Sequence, residues 1–452
     1  MLRRPGPGSD QRCGGRLLRD RAESDIGQLL HAGGHRTGGH AERGRVRGRV
    51  LRMSTPAATR QAGATRRLVD TVAALAGDRF TGRRVGTSGG RAAGQWLAAQ
   101  LRAAGAATRV EAFPVAGVRE LTDTPTLIYQ GRALAHRRDW AEHGASAGLP
   151  DGAAGPVVTA QAGHWRGRWI LLPVLDAASV ARAAAEKAIG ILVPRGVDEA
   201  GWMPKMITGP TPLPLPVVSL HTVLHATLAT AGDDPAPMTG RIPVRVVATT
   251  GTNVHGVLRE APPGGRSILL TAHYDGVGDD PQQRLPAAAD NASGVAVVLE
   301  AARHLAGSLP AGVGLAVALL DAEEAGALGS AHHATQLTRA GGLTSGTVVL
   351  NVDGAAHLDG AATIEAGGAA DELLDALDTA GRTVGTALRA GPMASDNRRY
   401  AAAGLPAAGV GMGMPGYQTP AETPDRVEPD TLLAATRLVT ATVRILADRT
   451  RR

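Results

Sequence analysis

The chain has 452 residues, 43% of them apolar and only 2% aromatic, so it can build more than one core, packed mainly by Ala, Val and Leu. The net charge of +7 lies wholly in residues 1–52, where 12 Arg face 5 Asp and Glu; from Met53 onward 36 positive side chains meet 36 negative ones. That balance excludes a basic, nucleic-acid-binding body, and a single cysteine, Cys13, excludes a disulfide framework or a thiol centre beyond the leader.

Residues 1–52 are rich in Gly, Arg and His without usable periodicity. They read either as a disordered basic arm or as a mis-called start ahead of Met53, and composition of this kind favours the second. His31, His35 and His40 are not spaced as a metal site. Neither this stretch nor the one after Met53 has the apolar centre of a secretory signal, and no apolar run reaches membrane-span length. Cytoplasmic residence, with no membrane or nucleic-acid partner, is the expectation; the sequence leaves the oligomeric state open.

Helical spacing follows in 65–77 (Leu68, Val69, Val72, Leu75) and in 90–104 (Trp96, Leu97, Leu101), with a glycine-rich loop between them. A strand ends at Val115. From 116 to 245 prolines and turns thicken and short apolar runs replace long helices, which predicts a smaller β-rich domain inserted into the main fold. Trp165, Trp169 and Trp202 fall there; scattered tryptophans are more often core or rim than a ligand platform. From 246 strands alternate with helices: RVVATTGTNVHGVLRE, SILLTAHYD, NASGVAVVLEAARHLA, VGLAVALLDAEE, a helix after it, TVVLNVDG, DELLDALDTAG, LPAAGVGMG and a long terminal helix. The expected fold is α/β, a mixed, mostly parallel sheet flanked by helices on both faces. It would be built from residues 53–115 and 246–452, with 116–245 as the insert.

Several of these strands end abruptly in chemistry. AHYD places His273 and Asp275 on one side of a strand end, two residues apart. DAEE offers Glu323 and Glu324, which point differently, so one can hold a metal while the other takes a proton. NVDG offers Asp353, and the loop ADNASG offers Asp290. One imidazole with several carboxylates suits Zn²⁺ or a similar divalent ion, and suits neither phosphate cradling nor acyl-enzyme chemistry. Each motif alone is weak; their order along the chain makes the set specific.

From about Thr65 to the C-terminus, the motifs AHYD (272–275), ADNASG (289–294), DAEEAGALGS (321–330), NVDG (351–354), ASDN (394–397) and YQTPAETPDRV (417–427) resemble the co-catalytic dizinc aminopeptidases of the aminopeptidase Y and bacterial leucyl aminopeptidase type. The resemblance implies a zinc-exopeptidase fold, two zinc ions and a peptide substrate cut at its N-terminus. It implies His273 and Asp353 as ligands of one ion, Asp290 as the bridge and Glu324 on the second ion. Glu323 becomes the general base, Tyr417 an oxyanion donor and Asp275 the partner that orients His273. Where such sequences read Tyr-His-Thr this chain reads Tyr417-Gln418-Thr419, so the last ligand of the second ion would be an amide oxygen, a weaker donor than imidazole. Asn397 stands in place of a His, and Glu422 in place of an Asp. These departures open a second reading, a weakly active or non-catalytic relative that binds peptide or a partner; a related carboxypeptidase or aminoacyl cyclase is a third. His357 is expected on a surface loop, and His332 and His333 in packing or solvent. The segments RGRWILLPV and AAAEKAIGILVP resemble a protease-associated domain.

Overall fold

Two eight-stranded sheets organise a computed structural model that describes residues 56–232, 234–339 and 346–449. The leader, with Cys13 and its three histidines, lies outside the described residues. In the main sheet the spatial order is Ala107–Leu121, Val244–Arg259, Val313–Leu320, Arg266–His273, Thr347–Val352, Ala407–Gly411, Ala362–Gly367 and Leu388–Ala390. Four of its seven neighbouring pairs are parallel. The sheet is therefore mixed, with antiparallel pairs on both sides of the parallel centre. The two short strands Ala362–Gly367 and Leu388–Ala390 carry no apolar run that the sequence reading detected.

Strand periodicity divides the two cores. Ile268, Leu270 and Ala272 face helices Pro56–Leu75, Ser88–Ala103, Gly294–Leu305 and Pro429–Arg449, while Leu269 between them faces helices Leu328–Arg339 and Asn397–Ala402. Helix Gly294–Leu305 is buried along almost its whole length, through Val295, Val298, Ala301 and Ala302, which is how a chain poor in aromatics fills a core.

The strand expected to end at Val115 runs on to Leu121. It pairs antiparallel with Val244–Arg259 from Ala107↔Val257 to Leu121↔Val244, with a register shift between Val115 and Val118. This ribbon leads the chain out to the second sheet and back. The second sheet takes its strands from Thr126 to Ile242, parallel through its middle, and carries helices Ala177–Ala185 and Thr222–Ala231. Trp140 and Trp169 fill one side of it and Trp165 the other, each no more than 2% exposed. Trp202 is half-buried beneath the Arg138 guanidinium, 3.8 Å from its ring centre.

Candidate metal centre

The parallel centre of the main sheet brings its strand ends level. His273 is the last residue of its strand and lies opposite Leu320, one residue before Asp321; Thr271 pairs with Asn351, two residues before Asp353. The Thr271 hydroxyl donates to Asn351 Oδ1 at 2.8 Å, and Asn351 Nδ2 donates to Ser395 Oγ at 3.0 Å, tying a third loop to the same edge.

Three predicted residues converge here. His273 Nε2 lies 3.0 Å from Asp290 Oδ1 and 3.2 Å from Asp353 Oδ1, with the imidazole fully buried and both aspartate side chains no more than 8% exposed. One donor atom from each lies within 4.8 Å of the others. Burial opposes charge on the imidazole, but Asp353, Asp275 and Asp290 outweigh it and hold His273 well above the usual imidazole range. Burial likewise pushes Glu324 far above the usual carboxylate range, reinforced by the negative charges of Asp290 and Glu323. Glu323 is half-buried and raised the same way, burial acting first and Asp353, Asp396 and Asp290 adding to it.

Local backbone chemistry explains why these side chains meet. Asn291 Nδ2 donates to Val352 O at 2.8 Å, while its Oδ1 accepts from Gly294 N at 2.9 Å and Gly354 N at 3.1 Å. One amide thus caps the following helix and fastens the Asp290 loop to the Asp353 strand end. Only glycine fits at 294, since a Cβ would stand 2.1 Å from Asn291 Oδ1 and 2.6 Å from Val352 O. The Asp275 carboxylate accepts the Glu323 N–H at 3.0 Å and the Glu324 N–H at 3.3 Å. It stands 3.5 Å from His273 Nδ1, whose nearest acceptor is instead the Asp275 main-chain oxygen at 3.3 Å. Asp275 therefore shapes the glutamate turn as well as flanking the imidazole.

Ala287, Ala322, Ala327, Ala394 and Gln418 all have left-handed backbone, φ between 52° and 61°, and all lie in the loops that carry the site. Each costs about 1–3 kcal/mol, which the surrounding packing must offset, and strain of this kind concentrates at functional sites.

Gln418 is buried, and its amide donates to Glu324 Oε2 at 2.5 Å. Glu324 Oε1 and Gln418 Oε1 are both buried without a hydrogen-bond partner. Tyr417 is 42% exposed, and its phenol is raised above the usual range by burial and then by Asp290, Glu324 and Glu323. Asp396 is fully buried with neither oxygen hydrogen-bonded, and burial pushes its carboxyl up to about 7. His357 stays apart, half-exposed and bonded to Glu428 at 2.7 Å. His333 is buried and bonds Tyr400 at 2.8 Å, and His332 stacks on Phe113, so both serve packing.

These residues fit divalent cations. Asp275, Asp290, Glu324, Asp353, Asp396 and Glu422 are six buried carboxyl groups. The buried guanidinium of Arg83 hydrogen-bonds only carbonyls: Tyr274, Leu75, Pro286 and Ala287. Buried carboxylates in this density call for cations to neutralise them, and partnerless carboxylate and amide oxygens are the donors a hard or borderline ion takes.

Sequence reasoning missed three residues that hold the site together. Arg83 joins the loop before Asp290 to the strand end at Tyr274. Glu422, noted only as a departure from an aspartate, accepts Asp290 N at 2.6 Å and Gln418 N at 2.7 Å. Lys205, from the loops of the second sheet, donates its main-chain N–H to Gln418 O at 2.9 Å. Its ammonium reaches Gly278 O at 2.8 Å, Asp279 O at 3.1 Å and Asp280 Oδ1 at 3.0 Å. A signal was present: lysine occurs only at 187 and 205 in a chain otherwise using arginine. A compact ammonium with three rotatable donors suits this spot better than a planar guanidinium.

No curated protein matches the sequence. Among solved structures the chain is similar to BSAP, a zinc aminopeptidase from Bacillus subtilis, at 22% identity over 84% of this chain and 94% of that one, with a TM-score of 0.65. It is similar to an aminopeptidase from Aneurinibacillus sp. strain AM-1 at 21% identity, 84% and 93% coverage and a TM-score of 0.62. A peptidase M28 precursor from Shewanella amazonensis SB2B gives 19%, 86% and 96%, and 0.64. At these identities the likeness is one of fold, and the fold is that of a zinc aminopeptidase. The sequence itself matches Peptidase family M28 over the stretch that supplies His273, Asp290, Glu323, Glu324, Asp353 and Gln418. Residues 253–443, and with them the candidate centre, are what this chain shares with Peptidase family M28.

Proposed function

We propose that the protein is a metal-dependent aminopeptidase that removes N-terminal residues from peptides. The observation that carries this reading is the approach of Asp290 and Asp353 to His273 Nε2, at 3.0 and 3.2 Å, beside the Glu323–Glu324 turn. His273, Asp290 and Asp353 would hold one zinc ion; Asp290, Glu324 and the amide oxygen of Gln418 would hold a second. When bound, the ions supply Lewis acidity toward a peptide carbonyl and acidify water. Glu323 takes the proton of the attacking water and returns it to the departing amine, a role that suits a half-buried carboxyl held above its usual range. Tyr417, kept protonated by its surroundings, donates to the oxygen on which negative charge develops. Asp275 holds the turn that aims Glu323 and Glu324. Residues 116–245 form an inserted protease-associated-like domain, and through Lys205 it braces the Tyr417–Gln418 loop.

Release of free amino acid from aminoacyl p-nitroanilides, in the presence of Zn²⁺, Co²⁺ or Mn²⁺, tests the reading. Protein that carries no divalent ion by elemental analysis and releases nothing with any of the three would overturn it. One observation favours a second reading, a relative that binds peptide without cutting it. The Gln418 amide is engaged with Glu324 where the resemblance has an imidazole. Peptide binding without turnover in metal-loaded protein would select that reading.

A further inference from the structure

A trough of about 710 Å³ lies in the helical layer, where one face of helix Pro429–Arg449 meets helices Pro56–Leu75 and Asp371–Val384. Its size is that of a small-molecule site. Ala64, Leu433, Ala441 and Ile445 give it an apolar floor, and Arg60, Arg437 and Arg444 stand along it. All three arginines are exposed and none has a hydrogen bond or ion pair among the described residues. The described residues lining the trough include no carboxylate, and their one ring is the His304 imidazole, held by Glu300 at 3.1 Å.

Thr440 supplies a separate observation. Its neighbours on the same helix, Thr436 and Thr442, donate their hydroxyls to Leu432 O and Leu438 O at 2.8 Å, the usual way a buried helical threonine satisfies itself. Thr440 lines the trough, is 6% exposed, and leaves its hydroxyl without a partner. A buried unpaired hydroxyl costs about 1–3 kcal/mol; Thr440 Oγ1 has less than 1 Å² open, so a ligand atom in the trough bonds it once χ1 exchanges it with the side-chain methyl group.

We propose that this trough is a binding site for an amphipathic carboxylate: an unbranched aliphatic body on the apolar floor, with its anionic head taken by Arg437, Arg444 and the Thr440 hydroxyl. Three guanidiniums without carboxylate partners select an anion and supply paired donors to it. The described lining residues include no Phe, Tyr or Trp, and the His304 ring is engaged with Glu300, which argues against a planar base that would need a stacking partner. The site is separate from the metal centre and stands whether or not the chain is an aminopeptidase.

Calorimetric titration of the full chain with monomeric dodecanoate tests the proposal, with dodecyltrimethylammonium and acetate as controls for tail and head alone. The expected result is saturable 1:1 binding of dodecanoate and none of either control. The double variant Arg437→Glu, Arg444→Glu should weaken binding about tenfold or more. Ala441→Phe, which fills the floor, should abolish it. Thr440→Val should weaken binding while leaving the urea midpoint unchanged or higher, which separates loss of a ligand contact from loss of the fold. Absence of dodecanoate binding, equal binding of the cationic amphiphile, or affinity unchanged in both the double variant and Ala441→Phe would overturn the proposal. So would binding seen only to anionic phosphatidylglycerol vesicles, which would make the face a membrane contact instead.

Discussion

The side-chain amide of Gln418 donates to Glu324 Oε2 at 2.5 Å, joining the two residues proposed to hold a second metal ion. An amide bonded this way spends its nitrogen on the carboxylate and leaves one neutral oxygen, without a hydrogen-bond partner, as the only donor it could offer a cation. Gln418→His should therefore raise affinity for the second ion by about tenfold or more, a change of the size seen when a metal's immediate surroundings are altered. Metal titration calorimetry reads it directly. An unchanged second binding event in the variant would place Gln418 away from that ion.

Glu323 is the predicted base, and Glu323→Gln keeps its shape while removing the proton acceptor. Turnover should fall roughly 100- to 10,000-fold, with metal content unchanged. Steady-state kinetics paired with elemental analysis makes the measurement. Wild-type turnover in the variant would reassign the base.

Lys205 neutralises the buried Asp280 carboxylate together with Arg137, whose side chain is 1% exposed. Lys205→Met leaves Asp280 one cation short and strips donors from Gly278 O and Asp279 O. The expected loss of stability is about 3 kcal/mol, the scale of a buried ion pair broken on one side. Urea unfolding measures it, and a midpoint equal to wild type would show the ammonium to be dispensable.

Glu300 sets a pH dependence away from the metal centre. Its side chain is 1% exposed, and burial alone would raise the carboxyl, but hydrogen bonds from Arg67 and His304 hold it down at about 2. An unfolded glutamate titrates near 4.3, so between these values the unfolded chain binds more protons and stability rises with pH. The stabilisation is complete above about pH 5 and disappears as pH falls toward 2, and solvent around the half-exposed Arg67 limits it to about 1–2 kcal/mol. Urea midpoints of wild type and Glu300→Gln should converge as the pH is lowered through this range. A difference constant with pH would contradict the assignment.

The candidate residues were legible because parallel strands put their last residues at one edge, so His273, Glu323, Glu324 and Asp353 stand out at the ends of apolar runs. Asp290 was legible through the turn-and-helix pattern that follows it. Support from a distance was not. Arg83 sits at the end of a single helical turn, Asp78–Arg83, far along the chain from the Tyr274 and Ala287 carbonyls it serves, and no periodicity marks such a contact. Glu422 read only as a departure from an aspartate, whereas its carboxylate binds main-chain N–H groups from two loops. The end of the strand at Leu121 was hidden because Pro114, Ala116 and Gly117 interrupt its alternation, although pairing with the partner strand carries the ladder past them.

Lys205 and Arg83 both lie upstream of the family-matched stretch 253–443, yet one fixes the Gln418 loop and the other the Asp290 loop. Excising that stretch as an autonomous catalytic unit would discard the two cations on which its own loops lean. The smallest working piece of this chain must begin ahead of Arg83 and include the second sheet, so the boundaries drawn by shared ancestry are narrower than those required for assembly.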